Sequence, residues 1–281
     1  MSDLSATIDH VVITVGDRLD AALAQYTRLG FDMTERGHHT LGSSNHLAIF
    51  GRDYLELLGY EPGRTPLEAS QRADLHTAPP GLSGLVFKPD APDFAGRLRA
   101  KGAPVGEARE FSRPVRLGEE SRDARFRTAS VTDPAVQSGR VFFCHHDTPE
   151  LVWREEWRRH PNGVTGVAEF VIASGEPERM GGLFRRLFGA DSVRETEGGL
   201  CLPAGSGTVL VLRPDVVAER FGEVPALEEG RDRMVALSLH CAAPEQVAVL
   251  LAGNGVTAVR HGARLVVPPA EAAGLALAFM D

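Results

Sequence analysis

One pattern recurs along the chain, and it begins as a β-strand that runs directly into an amphipathic helix. Residues 10–15 read HVVITV, a β-branched run that predicts a strand. Residues 17–30 repeat apolar side chains about every 3.5 residues and end at Gly30, which predicts a helix with a glycine stop. Three short strands follow, at residues 31–40, 44–51 and 53–60, so the predicted unit is β-α-β-β-β.

The same unit starts again at residues 81, 166 and 234, so the chain contains four copies of uneven length. One unit alone leaves a face of its sheet uncovered, and pairs of units must therefore close on each other. Residues 158–165 read RRHPNGVT, and their proline and Asn-Gly pair predict a linker. We therefore expect two domains, residues 1–160 and 165–281, each built from two units.

Several stretches of the first half resemble a known family. IDHVVITVGD, LDAALAQYTRLGF and DYLELLG resemble the first unit of the vicinal oxygen chelate superfamily, also called the glyoxalase, bleomycin-resistance and dioxygenase fold. SNHL and HDTPELVWREEWRRHPNG resemble a glyoxalase-like subgroup. The resemblance covers residues 8–164, and beyond 165 only the unit order and a few glycine positions persist. It implies an α+β fold in which paired βαβββ units form cupped mixed sheets, as two tandem glyoxalase-like domains.

The resemblance also implies a metal site inside the cup. In metal-using members one divalent ion is held by the first and last strands of each unit, and it binds two vicinal oxygens of the substrate. In the first unit these positions are His10 and Glu56. Imidazole and carboxylate ligands both suit Zn, Fe, Mn or Ni. The other interpretation of His10 is a core histidine that donates a hydrogen bond to a backbone carbonyl.

The second unit matches the ligand pattern poorly. Its first-strand position falls on Ser83 or Gly84, and neither is an adequate ligand. Its last strand offers Cys144, His145 or His146. We select His146, because it lies in the stretch that resembles the glyoxalase-like subgroup, and with His10 and Glu56 it would complete a two-histidine, one-carboxylate set. The alternative is that both histidines begin a surface turn.

Further polar residues are candidates for the chemistry or for contacts with a ligand. Glu150 is a candidate general base, although it also suits the first turn of a helix as an acidic residue. The hairpin region of residues 35–46 is expected to line the mouth of the cup or to be a solvated hairpin. The candidates for substrate binding are Asn45, Tyr54 and His46, with His38, His39 and His76 as further histidines of the first half.

The second half lacks the ligand pattern. Its first-strand positions carry Glu169 and Val235, and its last strands are apolar where a carboxylate is needed. We expect residues 165–281 to cover or brace the first domain.

Charge and composition narrow the partners. The net charge of −8 disfavours nucleic acid, because phosphate binding needs a concentrated basic surface. No apolar run approaches the roughly 20 residues of a membrane span, and no export signal is visible. Three cysteines without a C-x-x-C pair favour a reducing cytoplasm. The expected partner is a small-molecule substrate or ligand, and a homodimer is left open.

The leading functional hypothesis is a metal-dependent lyase, isomerase or oxygenase that chelates vicinal oxygens of a small oxygenated metabolite. The cofactor would be a divalent Zn, Fe, Mn or Ni ion. The alternative is a metal-free small-molecule binding protein of the bleomycin-resistance type, and a third interpretation is a scaffold without a ligand.

Overall fold

The computed structural model describes residues 4–61 and 80–281. In the first half the two predicted units are present, each with one helix and four strands in the described part of the chain. The elements of the first unit are β1 (Ile8–Gly16), α1 (Leu19–Arg28), β2 (Gly37–His38), β3 (Ser44–Ile49) and β4 (Tyr54–Gly59). Those of the second are β5 (Gly81–Phe87), α2 (Phe94–Ala100), β6 (Arg109–Leu117), β7 (Glu120–Ser130) and β8 (Arg140–His146).

The second half repeats this order with one addition, a helix after the third unit. The third unit is β9 (Val164–Ala173), α3 (Pro177–Phe188), β10 (Arg194–Thr196), β11 (Gly199–Ala204) and β12 (Gly207–Leu212), followed by α4 (Pro214–Phe221). The fourth is β13 (Arg233–Cys241), α5 (Pro244–Gly253), β14 (Val259–His261), β15 (Arg264–Val267) and β16 (Ala276–Met280). Sequence patterns missed β10, β14 and α4, of which the two strands are only three residues long.

Each half forms one eight-stranded mixed sheet, with the strand order β2-β3-β4-β1-β5-β8-β7-β6 in the first and β10-β11-β12-β9-β13-β16-β15-β14 in the second. The first strands of the paired units, β1 and β5, run antiparallel at the centre, and each pairs in parallel with the last strand of its own unit. The predicted α+β fold of paired βαβββ units in two tandem glyoxalase-like domains is therefore confirmed.

The two sheets pack through one continuous hydrophobic core. Alternate residues of β1, such as Val11 and Ile13, point into this core, together with residues of β9, β13 and β16. Phenylalanine rings join the two halves: the Phe87 and Phe188 centroids lie 4.8 Å apart, and those of Phe31 and Phe279 lie 6.3 Å apart. The second half thus covers the outer face of the first sheet, whereas the inner face is left for a site.

The first sheet curls until its two edges meet. β2 and β6 are the outermost strands, yet the Thr40 backbone N–H donates to the Ser112 carbonyl oxygen over 3.0 Å, and the Ser112 N–H donates to the Thr40 hydroxyl. These bonds satisfy backbone groups that an open sheet would leave exposed at its edges. The concave side of the sheet therefore surrounds a cavity instead of facing open solvent.

The second sheet is filled by the chain itself. Helix α4 follows β12 and buries Val216, Val217 and Phe221 against apolar residues of β9, β12, β13, β15 and β16. The local sequence explains the helix, because Pro214 suits its first position, Asp215 its first turn and Gly222 its end. This helix occupies the side of the second sheet that corresponds to the cavity of the first.

At the centre of the first sheet, Gly84 explains the missing ligand of the second unit. Gly84 pairs with Val12 across β5 and β1, and the pairing shifts next to Ser83. A Cβ on Gly84 would lie 2.7 Å from the Val12 Cβ, closer than packed atoms approach. The position therefore accepts no side chain, and the Ser83 hydroxyl turns to the Thr14 hydroxyl at 2.6 Å.

We expect Gly84→Ala to lower the free energy of unfolding by about 1–3 kcal/mol, because the added methyl group overpacks the sheet at Val12. Gly96 is the matched control: it lies exposed in α2 with no atom within 4 Å of its Cβ position, so Gly96→Ala should be neutral or raise stability by up to ~1 kcal/mol. Urea unfolding measures both. Equal stability of the two variants would contradict the tight fit at Gly84.

A buried carboxyl connects the two halves. Asp53 precedes β4 and is 3% exposed, and its Oδ1 accepts the backbone N–H of Val167 in β9 over 3.0 Å. Burial raises the pKa of Asp53 from 3.8 to about 7, since the single N–H bond to Val167 only partly offsets the loss of water. The folded protein therefore holds a proton there that the unfolded chain has released above about pH 4.

This carboxyl should make stability fall with rising pH. Between pH 4 and pH 7 the folded state binds more protons at Asp53 than the unfolded state, so its contribution is full at low pH and is lost as pH rises through about 7. Asp53→Asn removes this titration. The free energy of unfolding of the variant minus that of wild type should therefore rise by roughly 2–3 kcal/mol between pH 5 and pH 8. Denaturant unfolding at both pH values tests this, and an unchanged difference would contradict it.

Candidate functional site

The cavity inside the first sheet is the candidate site. Its volume is about 90 Å³. Its polar lining consists of His10, His39, Ser43, Asn45, Tyr54, Glu56, Arg113, Thr128, Arg140 and Cys144. Its apolar lining consists of Leu41, Leu47, Leu58, Phe111, Phe126, Phe142 and Val152. Ten of these seventeen described lining residues are polar, so charged and hydrogen-bonding groups converge on the cavity beside its aliphatic and aromatic residues.

Asp9 organises the histidines at the inner end of the cavity. Neighbouring strand residues normally point to opposite faces, but the pairing of β1 with β5 shifts between Ile8 and His10. As a result the fully buried Asp9 places Oδ1 2.7 Å from His10 Nδ1 and 2.9 Å from His146 Nε2. One carboxylate oxygen thus joins β1 to the histidine at the end of β8.

The charge of Asp9 is stabilised by its neighbours. Burial alone would raise its pKa, but His146 and His10 more than compensate and hold the pKa of Asp9 below its usual range. Lys88 lies on the other side, with Nζ 3.7 Å from Asp9 Oδ2 and 4.0 Å above the Trp153 ring. Asp9 is therefore an ionised carboxylate with a cationic partner behind it.

His10 faces both this carboxylate and the cavity. Its ring stacks on Tyr54 at 4.3 Å, which is its partner in the parallel pairing of β1 with β4. Its Nε2 lies 3.7 Å from Glu56 Oε2. The two ring nitrogens of His10 thus each face a carboxylate, and the contact with Asp9 fixes the orientation of the ring.

Glu56 is the second buried carboxylate, and it lies on the cavity side of His10. The Asn45 side-chain amide donates to Glu56 Oε1 over 2.6 Å, and His39 Nε2 lies 3.9 Å from the same oxygen. Burial acts to raise the pKa of Glu56, but His39, His10 and Asn45 together lower it below its usual value. Glu56 is therefore ionised at neutral pH.

Four side chains form a group that can hold a metal ion. The group, here called the four-residue group, consists of Asp9, His10, Cys144 and His146, whose candidate ligand atoms all lie within 4.8 Å of one another. His146 Nδ1 and Asp9 Oδ2 are buried without a hydrogen-bond partner. Two imidazoles, a carboxylate and a thiol suit Zn or a similar transition metal, so the donor set fits the implied ion. Burial raises the pKa of the Cys144 thiol, which a bound metal would reverse.

The structure brings most of the sequence candidates together, but not as one ligand set. His10 and Glu56 are neighbours, and Asn45 and Tyr54 line the same cavity. His146 lies on the Asp9 side of His10, and Glu56 is outside the four-residue group. The two nitrogens of His10 thus face two different acidic groups, Asp9 and Glu56.

Two candidates lie outside the cavity. His46 points to the opposite face of β3, where its Nδ1 lies 2.8 Å from the Thr34 carbonyl oxygen. Strand alternation explains this, because Asn45 and Leu47 on either side of it face the cavity. Glu150 is exposed in a short 3-10 helix and pairs with Arg122 at 3.5 Å, so it has no contact with the site. His76 lies outside the described residues.

Sequence patterns missed two residues of the candidate site. Asp9 was missed because alternation assigns it to the face opposite His10, and no sequence signal marks the shifted pairing. Arg113 lies in β6, far from β1 in sequence, and enters the cavity because the sheet curls. A signal was present for Arg113, since it alternates along the sequence with Phe111 and Val115 and so shares their face of the strand.

Glu169, which stands at the first-strand ligand position of the second half, is paired with an arginine. Glu169 in β9 receives two hydrogen bonds from Arg264, at 2.6 and 2.9 Å, and a third from the Ser238 hydroxyl at 2.5 Å. These donors hold the pKa of Glu169 below its usual value against the effect of burial. It is a structural ion pair beside helix α4, and Arg264 also lies 5.3 Å from the Phe221 ring.

Comparisons with known proteins agree with the fold. The family model for the glyoxalase-like domain matches residues 8–188. A search of curated proteins found no match. In the described part of the chain, no helix is long and apolar enough to cross a membrane.

Solved structures with this architecture cover nearly the whole chain. A protein from Staphylococcus aureus described as hypothetical aligns with a TM-score of 0.65 at 10% identity, over 97% of this chain and 98% of its own. A mutant of 4-hydroxymandelate synthase from Streptomyces coelicolor aligns at 0.58 and 12% identity, over 99% and 92%. A fusion protein of a xylose isomerase-like TIM barrel and 4-hydroxyphenylpyruvate dioxygenase aligns at 0.55 and 13%, over 92% and 40%. At these identities the likeness shows the fold alone.

Proposed function

The chain belongs to the glyoxalase-like domain family, within the vicinal oxygen chelate superfamily, and we propose that it is a metal-dependent enzyme acting on a small oxygenated metabolite. The observation that carries the proposal is the four-residue group. Its four side chains are all buried, and their donor atoms converge beside the cavity. Two of its members, His10 and Cys144, also line the cavity, so an ion held there would be in contact with a bound substrate.

Asp9, His10, Cys144 and His146 would hold the ion. Bound there, a divalent cation supplies Lewis-acid chemistry toward two neighbouring oxygens of a substrate. Asp9 already contacts both imidazoles, and Lys88 balances its charge. The sequence-based set of His10, Glu56 and His146 is the competing assignment, and it differs in using Glu56 as a ligand in place of Asp9.

Glu56 is the group that can move a proton. It is ionised, lies on the cavity lining and is oriented by the Asn45 amide, so it can accept a proton from a substrate carbon or hydroxyl. Burial raises the pKa of Tyr54 well above its usual value, so its hydroxyl stays protonated and can donate a hydrogen bond. A carboxylate base beside a Lewis acid favours an isomerase or lyase over an oxygenase within the proposed class.

One observation favours a metal-free alternative of the bleomycin-resistance type. The ligand position of β5 is closed by the contact of Gly84 with Val12, so the second unit contributes no metal ligand from its first strand. In this second candidate the same cavity binds a small molecule without an ion. Metal uptake separates the two functions.

We expect the protein to take up one divalent ion per chain, measured by elemental analysis and by calorimetric titration with Zn²⁺ and Mn²⁺ after chelator treatment. Asp9→Asn, His10→Ala and His146→Ala should each weaken binding at least ~10-fold, because each removes a donor of the four-residue group. Glu56→Gln should keep the ion. With a substrate in hand, this variant should show a loss of activity.

The matched controls are His145→Ala and Glu150→Gln, which should bind the ion as wild type does. His145 neighbours His146 but pairs with Asp147, and Glu150 lies outside the cavity. Loss of the ion in Glu56→Gln with retention in Asp9→Asn would instead support the set of His10, Glu56 and His146. A wild-type chain that takes up no ion would reject the enzyme proposal in favour of the metal-free alternative.

A further inference from the structure

Arg113 is a buried cation that the proposed chemistry does not use. It lies in β6, is 4% exposed and lines the cavity. Its Nη2 is buried and has no hydrogen-bond partner. Gly37 leaves room for it: a Cβ there would lie 2.9 Å from Arg113 Nη1 and 2.4 Å from Asn45 Oδ1. The guanidinium therefore occupies space that a side chain at position 37 would fill, and its Nη2 can still donate hydrogen bonds.

A guanidinium in this state is costly to the folded protein. Burial acts to lower the pKa of Arg113, and the nearby Tyr54 and Glu56 compensate only in part. An arginine remains charged in proteins, so the folded protein contains a buried charge that is incompletely paired, and this lowers its stability. Such a group is stabilised as soon as an anionic oxygen reaches its free N–H groups.

We propose that the ligand of this cavity is a small organic monocarboxylate, whose carboxylate binds Arg113 and whose apolar remainder packs against Phe111 and Phe126. The centroids of these two stacked rings lie 5.1 Å apart, both rings line the cavity, and Phe111 lies in β6 with Arg113. The inference deepens the proposed function, on which it rests for the site of the ligand. It names the chemical class of the substrate.

A monocarboxylate fits better than a phosphate. A single carboxylate matches the one guanidinium of Arg113, whereas the second negative charge of a dianion would be repelled by the ionised Glu56. The planar guanidinium also matches the planar carboxylate group in geometry. A charge-assisted hydrogen bond of this kind changes affinity by about 10- to 100-fold.

The test is ligand binding to the full chain, with paired probes of equal shape. Benzoate, phenylacetate and 4-methylpentanoate are compared with benzamide, phenylacetamide and 4-methylpentanamide by thermal shift and calorimetry. We expect at least one acid to bind ~10-fold or more tightly than its amide. The preference should disappear in Arg113→Met, which keeps the length of the side chain and removes the charge.

Arg116→Met is the matched control, because Arg116 lies on the same strand but is exposed on the other face. It should bind the acids as wild type does. Arg113→Met should also unfold at the same or higher denaturant concentration than wild type, since it removes an incompletely paired buried charge. A large loss of stability in Arg113→Met would mean that Arg113 is a structural residue, and would overturn the inference.

Three further outcomes decide the matter. Equal affinity for every acid and its amide overturns the inference, and so does an acid preference that survives in Arg113→Met. Tighter binding of inorganic phosphate than of any acid overturns the assignment to carboxylates. Each titration is run on metal-loaded and on chelator-treated protein, so Arg113-dependent binding of an acid to a chain that takes up no ion supports the inference while rejecting the proposed metal enzyme.

Discussion

The site depends on one buried carboxylate. Asp9 accepts from His10 in its own strand and from His146 at the far end of β8, and Lys88 balances its charge. A fully buried carboxylate is tolerated only with such partners, so these residues have to be placed together. The shift in the pairing of β1 with β5 makes this possible, because it turns Asp9 to the same side as His10. That local irregularity therefore orients the two imidazoles, places Asp9 beside Lys88 and brings the donors of the four-residue group together.

The two halves share an architecture and use it in opposite ways. The first sheet curls until Thr40 bonds to Ser112, which leaves a cavity lined by charged and aromatic groups. The second sheet receives helix α4, whose valines and phenylalanine fill the corresponding side. Its buried Glu169 is then satisfied by Arg264 and Ser238 instead of by a ligand. The second half contributes its outer face, which covers the first sheet through the common core.

The fold and the chemistry rest on different observations. Family membership and the aligned structures establish the architecture, and an architecture of this kind supports many activities. The chemistry is argued from side chains: the four-residue group beside the cavity, the ionised Glu56 with its Asn45 donor, and the incompletely paired Arg113. These three features lie on one concave surface and are mutually compatible, since a Lewis acid, a base and an anion-binding group can act on one small molecule.

The sequence by itself determined the repeated β-α-β-β-β unit, and its resemblance to the superfamily implied that His10 and Glu56 face one cup. The unit follows from short-range periodicity: 3.6 for the helices, 2 for the strands, and glycine where a helix ends. The sequence also identified the weak point at Ser83 and Gly84. Only the tertiary structure decided that Asp9 turns inward, that His46 and Glu150 lie outside the cavity, and that Arg113 enters it. A shifted pairing and the curvature of a whole sheet cause these placements, and neither is encoded in the period of a single strand.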